Sequence, residues 1–354
     1  MTGESAAHAP VLLEPNQPAR FYRGGAGIAR FRDVPQTSEY IPEDWVGSTT
    51  EIFSQPGAGL TRLAGGETLR HAIAAAPDAF LGPEHVTRYG ADPALLVKIL
   101  HTEGRLVVHF HPDRDFAASH LGSRHGKTEA WIILSAGREG GDPSAGHVYL
   151  GFCRDTDPAV VRRWVDDQDT AALLDSLNKV TVVPGDTVLV PAGLPHAIGA
   201  GITLVELQEP TDFSILLEWA GFPVDGAKEG HLGVGFDLAL TALDYSGWDL
   251  GRLAVLRAPR PGAAERPFVT RLLPAGADPF FRAQRVDVDG SATGPVTFEP
   301  GYAILVVVTG HGRLTYASGR LPVRRGDTIL VPHAVGPVTL EGFFQALRCQ
   351  PPAS

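Results

Sequence analysis

Along the chain, from about residue 106 onward, apolar positions come in short runs separated by turn-forming residues. RLVVHFH, TEAWIIL, HVYLGF, KVTVVP, DTVLVP and ITLVELQ are most of them bounded by Gly, Pro or Asp. Runs of this length, rich in Val, Ile, Leu and Thr, predict strands. One stretch breaks the pattern: in PAVVRRWVDDQDTAALLDSLN (158–178), Val160, Val161, Trp164 and Val165 recur at helical spacing, continued by Leu173, Leu174 and Leu177. It predicts one or two short helices inserted between strands. A further helix is expected around 67–80, ETLRHAIAAAPDAF, in an N-terminal region that otherwise reads as irregular. The 41 glycines and 29 prolines are spread through the chain and punctuate these runs, which is the texture of an all-β sandwich or barrel.

The pattern also repeats. Residues 185–191 read GDTVLVP and residues 326–332 read GDTILVP, identical at six of seven positions, each late in a series of short strands. Two copies of one β module are implied. The segment 257–267, RAPRPGAAERP, lacks apolar periodicity and reads as the linker between them. The expected division is 1–255 and 256–354.

Composition narrows the function. A net charge of −10 with no basic stripe argues against a general nucleic-acid binder. Two cysteines, Cys153 and Cys349, are too few for a disulfide framework and fit a reducing compartment. No apolar run reaches the length of a membrane span, and the first thirty residues lack a secretory pattern. The expectation is a soluble cytoplasmic protein with no membrane or nucleic-acid partner.

Candidate chemistry begins with LVVHFHPD at 106–113. In a strand, His109 and His111 project to one face while Val108 and Phe110 turn to the other. Such a pair is either solvated or part of a metal site, because neutral imidazole is a common ligand for zinc and its neighbours. The first repeat continues as PGDTVLVPAGLPHAIGAG, with Gly185, Pro191, Gly193 and His196 at the spacing of the second signature motif of the cupin family. In cupins that motif sets a histidine opposite a His-x-His pair across a jelly roll. HGKTEAWIIL at 125–134 adds a third piece. Together HFHPDRDF, GKTEAW and LPHAIGAG resemble the class I phosphomannose isomerases in their short bacterial form. ALLVKIL (94–100), PEDWVGST (42–49) and KEGH (228–231) extend the resemblance across roughly residues 20 to 245.

The resemblance implies two jelly-roll barrels with a few short inserted helices, the first carrying one divalent metal ion. His111, Glu129 and His196 fall on the family's zinc ligands, and His109 falls where the family has a glutamine ligand. Three histidines and one carboxylate suit zinc and also accept Mn, Fe or Ni. The implied reaction interconverts mannose 6-phosphate and fructose 6-phosphate through an enediol, in a monomer or homodimer. The metal polarises the sugar oxygens, and side chains move the proton. Lys127 takes a role beside the substrate, and Glu206 is either the base or a partner that orients a ligand histidine. Asp212 falls on the aspartate of the family's Ser-Asp segment and reads as structural. Lys228 stands where the family has an arginine that closes over the substrate, and an apolar residue near Leu216 replaces another arginine. Lysine loses the planar fork that grips phosphate at two points, which leaves Arg124, Lys127 and Lys228 as its contacts. The alternatives are an isomerase or epimerase of another sugar, phosphorylated or not, and a sugar-binding cupin without turnover. In the second repeat, counting from the shared GDT sets Pro337 opposite His196. Aligning the glycine after the preceding strand sets Tyr302 opposite Glu129. His333 nearby reads as a solvated loop histidine, so the second module is expected to lack a metal.

Overall fold

The structure is a computed structural model and describes residues 6–137, 146–257, 264–266, 268–290 and 294–353. In chain order its first part contains β1 (Val11–Leu12), α1 (Gly27–Arg32), β2 (Glu43–Val46), α2 (Leu69–Ala75), α3 (Pro77–Leu81), α4 (Pro83–Tyr89), β3 (Leu96–His101) and β4 (His109–Phe110). Next come α5 (Arg114–His120), β5 (Glu129–Ser135), β6 (Gly146–Phe152), α6 (Pro158–Asp167), α7 (Thr170–Ser176), β7 (Leu177–Val182), β8 (Thr187–Val190), β9 (His196–Ile198), β10 (Thr203–Gln208) and β11 (Ile215–Leu216). The short helices α8 (Gly226–Glu229), α9 (Phe236–Ala239) and α10 (Leu250–Val255) lead to the last strands, β12 (Ala264–Arg266), β13 (Val269–Arg271), β14 (Arg282–Asp289), β15 (Val296–Phe298), β16 (Ala303–Tyr316), β17 (Gly319–Arg324), β18 (Thr328–Val331) and β19 (Val338–Gln350).

The insert at 158–178 forms two helices, each started by an aspartate, Asp157 and Asp169, whose side chain accepts a backbone N–H of the first turn. The helix expected over 67–80 also divides in two, because Pro77 begins a new helix. Of the linker segment, 258–263 and 267 lie outside the described residues. Ala264–Arg266, however, is not irregular: it pairs antiparallel with β13.

Two five-stranded sheets, β2-β3-β10-β5-β8 and β11-β4-β9-β6-β7, make the first jelly roll. Alternation decides what each face buries. On the first sheet Leu100, Trp131, Ile133, Val188, Val190 and Leu204 pack inward against Val148, Leu150, Val182 and Ile198 of the second sheet. The intervening residues Val97, Ile99, Ala130, Ile132, Val205 and Leu207 face the opposite way. There they meet Leu272, Phe281, Ile304, Val306, Leu330 and Leu347 of the C-terminal strands and Leu69, Ile73 and Phe80 of the helices. The C-terminal strands have their own interior as well, with Val286, Leu305, Val307, Ile329 and Ala346. A single apolar layer thus joins two barrels.

The repeat is the same turn built twice. Gly185 and Gly326 sit at φ 91° and 90°, a conformation that glycine adopts without steric cost. Asp186 accepts from the Val183 N–H at 3.0 Å, and Asp327 from the Arg324 N–H at 2.8 Å. β8 and β18 follow at the same offset. The edge of β18 is closed by β1, which pairs Val11 with Leu330 and Leu12 with Ile329, so the N-terminal segment completes the C-terminal sheet. Arg32 helps hold it there, donating to the Leu13 carbonyl at 2.9 Å and to Gly326 at 3.2 Å.

Candidate metal centre

β4, β5 and β9 bring His109, His111, Glu129 and His196 together at one end of the first barrel. His109 pairs directly with His196 across the sheet, and the three imidazole centroids lie 4.3 to 5.0 Å apart. Each of the three rings offers a ligand atom within 4.8 Å of the others. The Nδ1 of each is bonded to a backbone carbonyl: His109 to Val107 at 2.9 Å, His111 to Phe213 at 2.7 Å and His196 to Leu194 at 2.8 Å. Carbonyls accept only, so each Nδ1 carries the proton and each Nε2 presents a lone pair to the cavity. Burial lowers the pKa of all three rings, to about 3 for His111 and His196, which keeps them neutral.

Glu129 faces these lone pairs. Its Oε1 accepts from the Trp131 indole at 2.9 Å and lies 3.5 Å from His196 Nε2. Its Oε2 lies 3.0 Å from His111 Nε2 and 3.1 Å from Lys127 Nζ. Neither Glu129 Oε2 nor His196 Nε2 has a hydrogen-bond partner, although both are buried. A carboxylate and an unprotonated imidazole nitrogen in contact repel unless a positive centre lies between them. Lys127, whose ammonium donates to His111 Nε2 at 3.0 Å, supplies part of that charge. Burial alone would raise the Glu129 pKa, but the Lys127 ammonium outweighs it and holds the group well below the usual carboxylate range. The residues fit a divalent ion by donor type, tautomer and orphaned atoms alike.

The cleft beside them, about 510 Å³ including its mouth, is lined by Arg20, Glu43, Lys98, Glu206, Asp212 and Leu216 along with Lys127 and Glu129. Lys98 lies 3.5 Å from Glu206 and 3.7 Å from Glu43. Arg20 is held by both oxygens of Asp212 at 3.1 Å. Glu43 accepts from the Tyr22 hydroxyl and, at 2.6 Å, from the Trp45 indole. Burial opposes its charge, but Lys98 and Arg20 prevail and its pKa falls to about 2. Glu206 goes the other way: burial, reinforced by Glu129, pushes it up to about 7 against the pull of Lys98.

Of the residues picked out in the sequence, Lys127, Glu206, Asp212 and Leu216 therefore line one cleft with His109 and Glu129. Two do not join them. Lys228 is exposed on α8 and is not among the cleft-lining residues. Arg124 is tied to the Tyr89 carbonyl at 2.6 Å and to Asp92 at 2.8 Å, again outside the cleft. Sequence reasoning gave no role to Arg20, Tyr22, Glu43 or Lys98. A signal for Lys98 existed, a lone charge at an inward position of the apolar run ALLVKIL.

Strand register corrects the reading of the second barrel. Glu129 pairs with Val190, and Ala303 pairs with Val331, the residue matching Val190 in the repeat. Ala303, not Tyr302, stands in the place of Glu129; Tyr302 turns outward into the shared apolar layer. Among the described residues the three-histidine cluster is confined to the first barrel.

Residues 275–351 match the family described as mannose-6-phosphate isomerase, cupin domain. Mannose-6-phosphate isomerase of Streptococcus mutans is 29% identical over 255 residues, 72% of this chain and 72% of its own. Mannose-6-phosphate isomerase ManA of Bacillus subtilis is 25% identical over 255 residues, 72% and 73%. The crystal structure of the Bacillus subtilis mannose 6-phosphate isomerase superposes with a TM-score of 0.74 at 19% identity, covering 97% of this chain and 99% of that one. Over most of its length, then, this chain is similar to mannose-6-phosphate isomerases, and its residues 275–351 match their cupin domain. A zinc-bound mannose 6-phosphate isomerase shares the isomerase-type fold too, with a TM-score of 0.70 at 15% identity over 97% of this chain and 100% of that one.

Proposed function

We propose that this chain is a metal-dependent aldose-ketose isomerase that interconverts mannose 6-phosphate and fructose 6-phosphate. In this reading zinc is the resident metal, held by His109, His111, Glu129 and His196. The observation that carries it is the close approach of Glu129 Oε2 to an imidazole lone pair, beside an orphaned His196 Nε2. Charge points the same way. Arg20, Lys98 and Lys127 against Glu43, Glu129, Glu206 and Asp212 leave the fully ionised cleft at −1 (three minus four), which repels a sugar phosphate. A divalent ion brings it to +1.

When bound, the ion supplies Lewis-acid polarisation of the sugar oxygens. The chain's own residues do the rest. Glu206, with its pKa near 7, exchanges a proton close to neutrality and is suited to take it from C2 and return it to C1 of the enediol. Lys98 remains charged at its side, since Glu43 and Glu206 outweigh the burial that opposes its charge. Lys127 donates hydrogen bonds to substrate oxygens beside the metal ligands. Arg20, pinned by Asp212, stands at the cleft as a fixed guanidinium for the phosphate.

A second reading, an isomerase of an unphosphorylated sugar, is favoured by Leu216 in the cleft wall and Lys228 outside it. One assay separates the two. Zinc-loaded protein is given fructose 6-phosphate, mannose 6-phosphate, free fructose and free mannose, and the expected result is turnover of the phosphorylated pair at least a hundredfold faster. Turnover of the free sugars alone supports the second reading. Absence of turnover on all four, with stoichiometric zinc bound, overturns both.

A further inference from the structure

Lys127 and Glu129 are delivered to the centre by a segment that its own strand does not fix. β5 begins at Glu129, so the ladder with β8 and β10 does not reach residues 126–128. Their backbone is held by other means. The Gly126 carbonyl accepts from the Thr211 hydroxyl at 2.7 Å, and the Lys127 N–H donates to the Pro112 carbonyl at 3.0 Å. Thr128 is gripped twice by one residue: its N–H donates to Glu209 Oε2 at 2.9 Å, and its carbonyl accepts the Glu209 N–H at 3.1 Å. Lys127 and Glu129 flank Thr128 and project to one face, their charged groups 3.1 Å apart. A shift of Thr128 therefore moves both.

Glu209 is itself fixed from behind. It is buried, its Oε1 accepts from Arg114 Nε at 2.6 Å, and the same oxygen lies 3.8 Å from His125 Nδ1. Burial opposes its charge, but His125, the Thr128 N–H and Arg114 outweigh it and hold the carboxyl below its ordinary range. Arg114 in turn donates to the Pro279 carbonyl at 3.2 Å and lies 4.6 Å over the Phe280 ring. The clasp is thus anchored on the segment between β13 and β14. Hydrogen bonds to an ionised acceptor are roughly twice as strong as neutral ones, so this carboxylate orders a stretch that has no ladder of its own. Precision matters there, because metal affinity depends on how each ligand is oriented and a misplacement of about 1 Å can cost on the order of a hundredfold in rate.

We propose that Glu209 is a positioning residue of the metal centre, which through the Thr128 N–H sets Lys127 and Glu129 in place; the proposal rests on the isomerase reading only where turnover is the readout. The test measures zinc affinity of the full-length protein by chelator competition, and kcat on fructose 6-phosphate, in two variants. Glu209→Gln keeps the reach of the side chain and an acceptor for the Thr128 N–H but loses the charge. Glu209→Asp keeps the charge but is one methylene shorter. Glu209→Asp is expected to bind zinc at least tenfold more weakly and to lose at least tenfold in kcat, while Glu209→Gln stays within about threefold of the parent in both. Parent-like zinc affinity and kcat in Glu209→Asp, or equal losses in the two variants, overturn the proposal. Zinc affinity is read without turnover, so a parent inactive on every sugar removes the isomerase reading and leaves this test standing. If Glu209→Asp does not fold, hydrogen exchange at the Thr128 amide decides: protection in the parent that persists in Glu209→Gln is expected, and fast exchange in the parent overturns the proposal.

Discussion

The indole of Trp131 holds the carboxylate of Glu129 from behind, and Trp131→Phe tests how far that one hydrogen bond organises the centre. The bond is 2.9 Å long, its donor is fully buried, and its acceptor is ionised. A hydrogen bond to a charged group contributes about 1.5–3 kcal/mol, and losing it leaves Glu129 Oε1 facing His196 Nε2 with no donor. The missing ring adds a cavity cost of about 1 kcal/mol. The folded protein is expected to lose about 2.5–4 kcal/mol in urea denaturation. Zinc affinity, measured by competition with a chromophoric chelator, should fall roughly 10- to 100-fold, as when the hydrogen-bond partner of a metal ligand is removed. A variant with the expected stability loss and zinc affinity within twofold of the parent would show that Trp131 is packing alone and that Glu129 needs no positioning.

His111→Ala and His196→Ala should each abolish stoichiometric zinc and all turnover; full metal content by atomic absorption in both would refute the ligand set. Asp92→Asn breaks the 2.8 Å contact with His125, whose pKa is raised by Asp92 and Glu209 despite burial, while that of Asp92 sits at about 2. The carboxylate stabilises the fold above the ordinary aspartate range and loses this as pH falls through about 2, and the imidazolium stabilises it below about 6.5 and loses this as pH rises through its raised pKa. The stability gap between parent and variant, about 1.5–3 kcal/mol, should therefore be widest from about pH 4 to 6.5 and shrink on both sides, and a flat gap in chemical denaturation would refute it. The two repeat glycines should respond unequally to alanine. An added methyl at Gly185 meets open space and should cost only about 1–2 kcal/mol of left-handed strain, whereas one at Gly326 would collide with the Phe31 carbonyl and should cost more. Equal melting temperatures would contradict this.

Much of the first barrel was determined by sequence alone, because a strand's side chains alternate with period two. That rule set His109 and His111 on one face. The paired GDT turns likewise needed nothing beyond a glycine at positive φ and an aspartate that caps the turn. What lay outside local rules was decided by tertiary structure. Arg20, Tyr22 and Glu43 reach the cleft from a segment without strong periodicity, Glu43 through the pairing of β2 with β3 and the other two through contacts with Asp212 and Glu43. Motif order sets Lys228 at the substrate, but it lies on an exposed helix, since linear spacing does not fix where a short helix docks. The glycine after the preceding strand sets Tyr302 one residue away from the true counterpart of Glu129. Because a one-residue slip turns a strand's faces over, only the hydrogen-bonded register could show that alanine replaces the metal carboxylate in the second barrel.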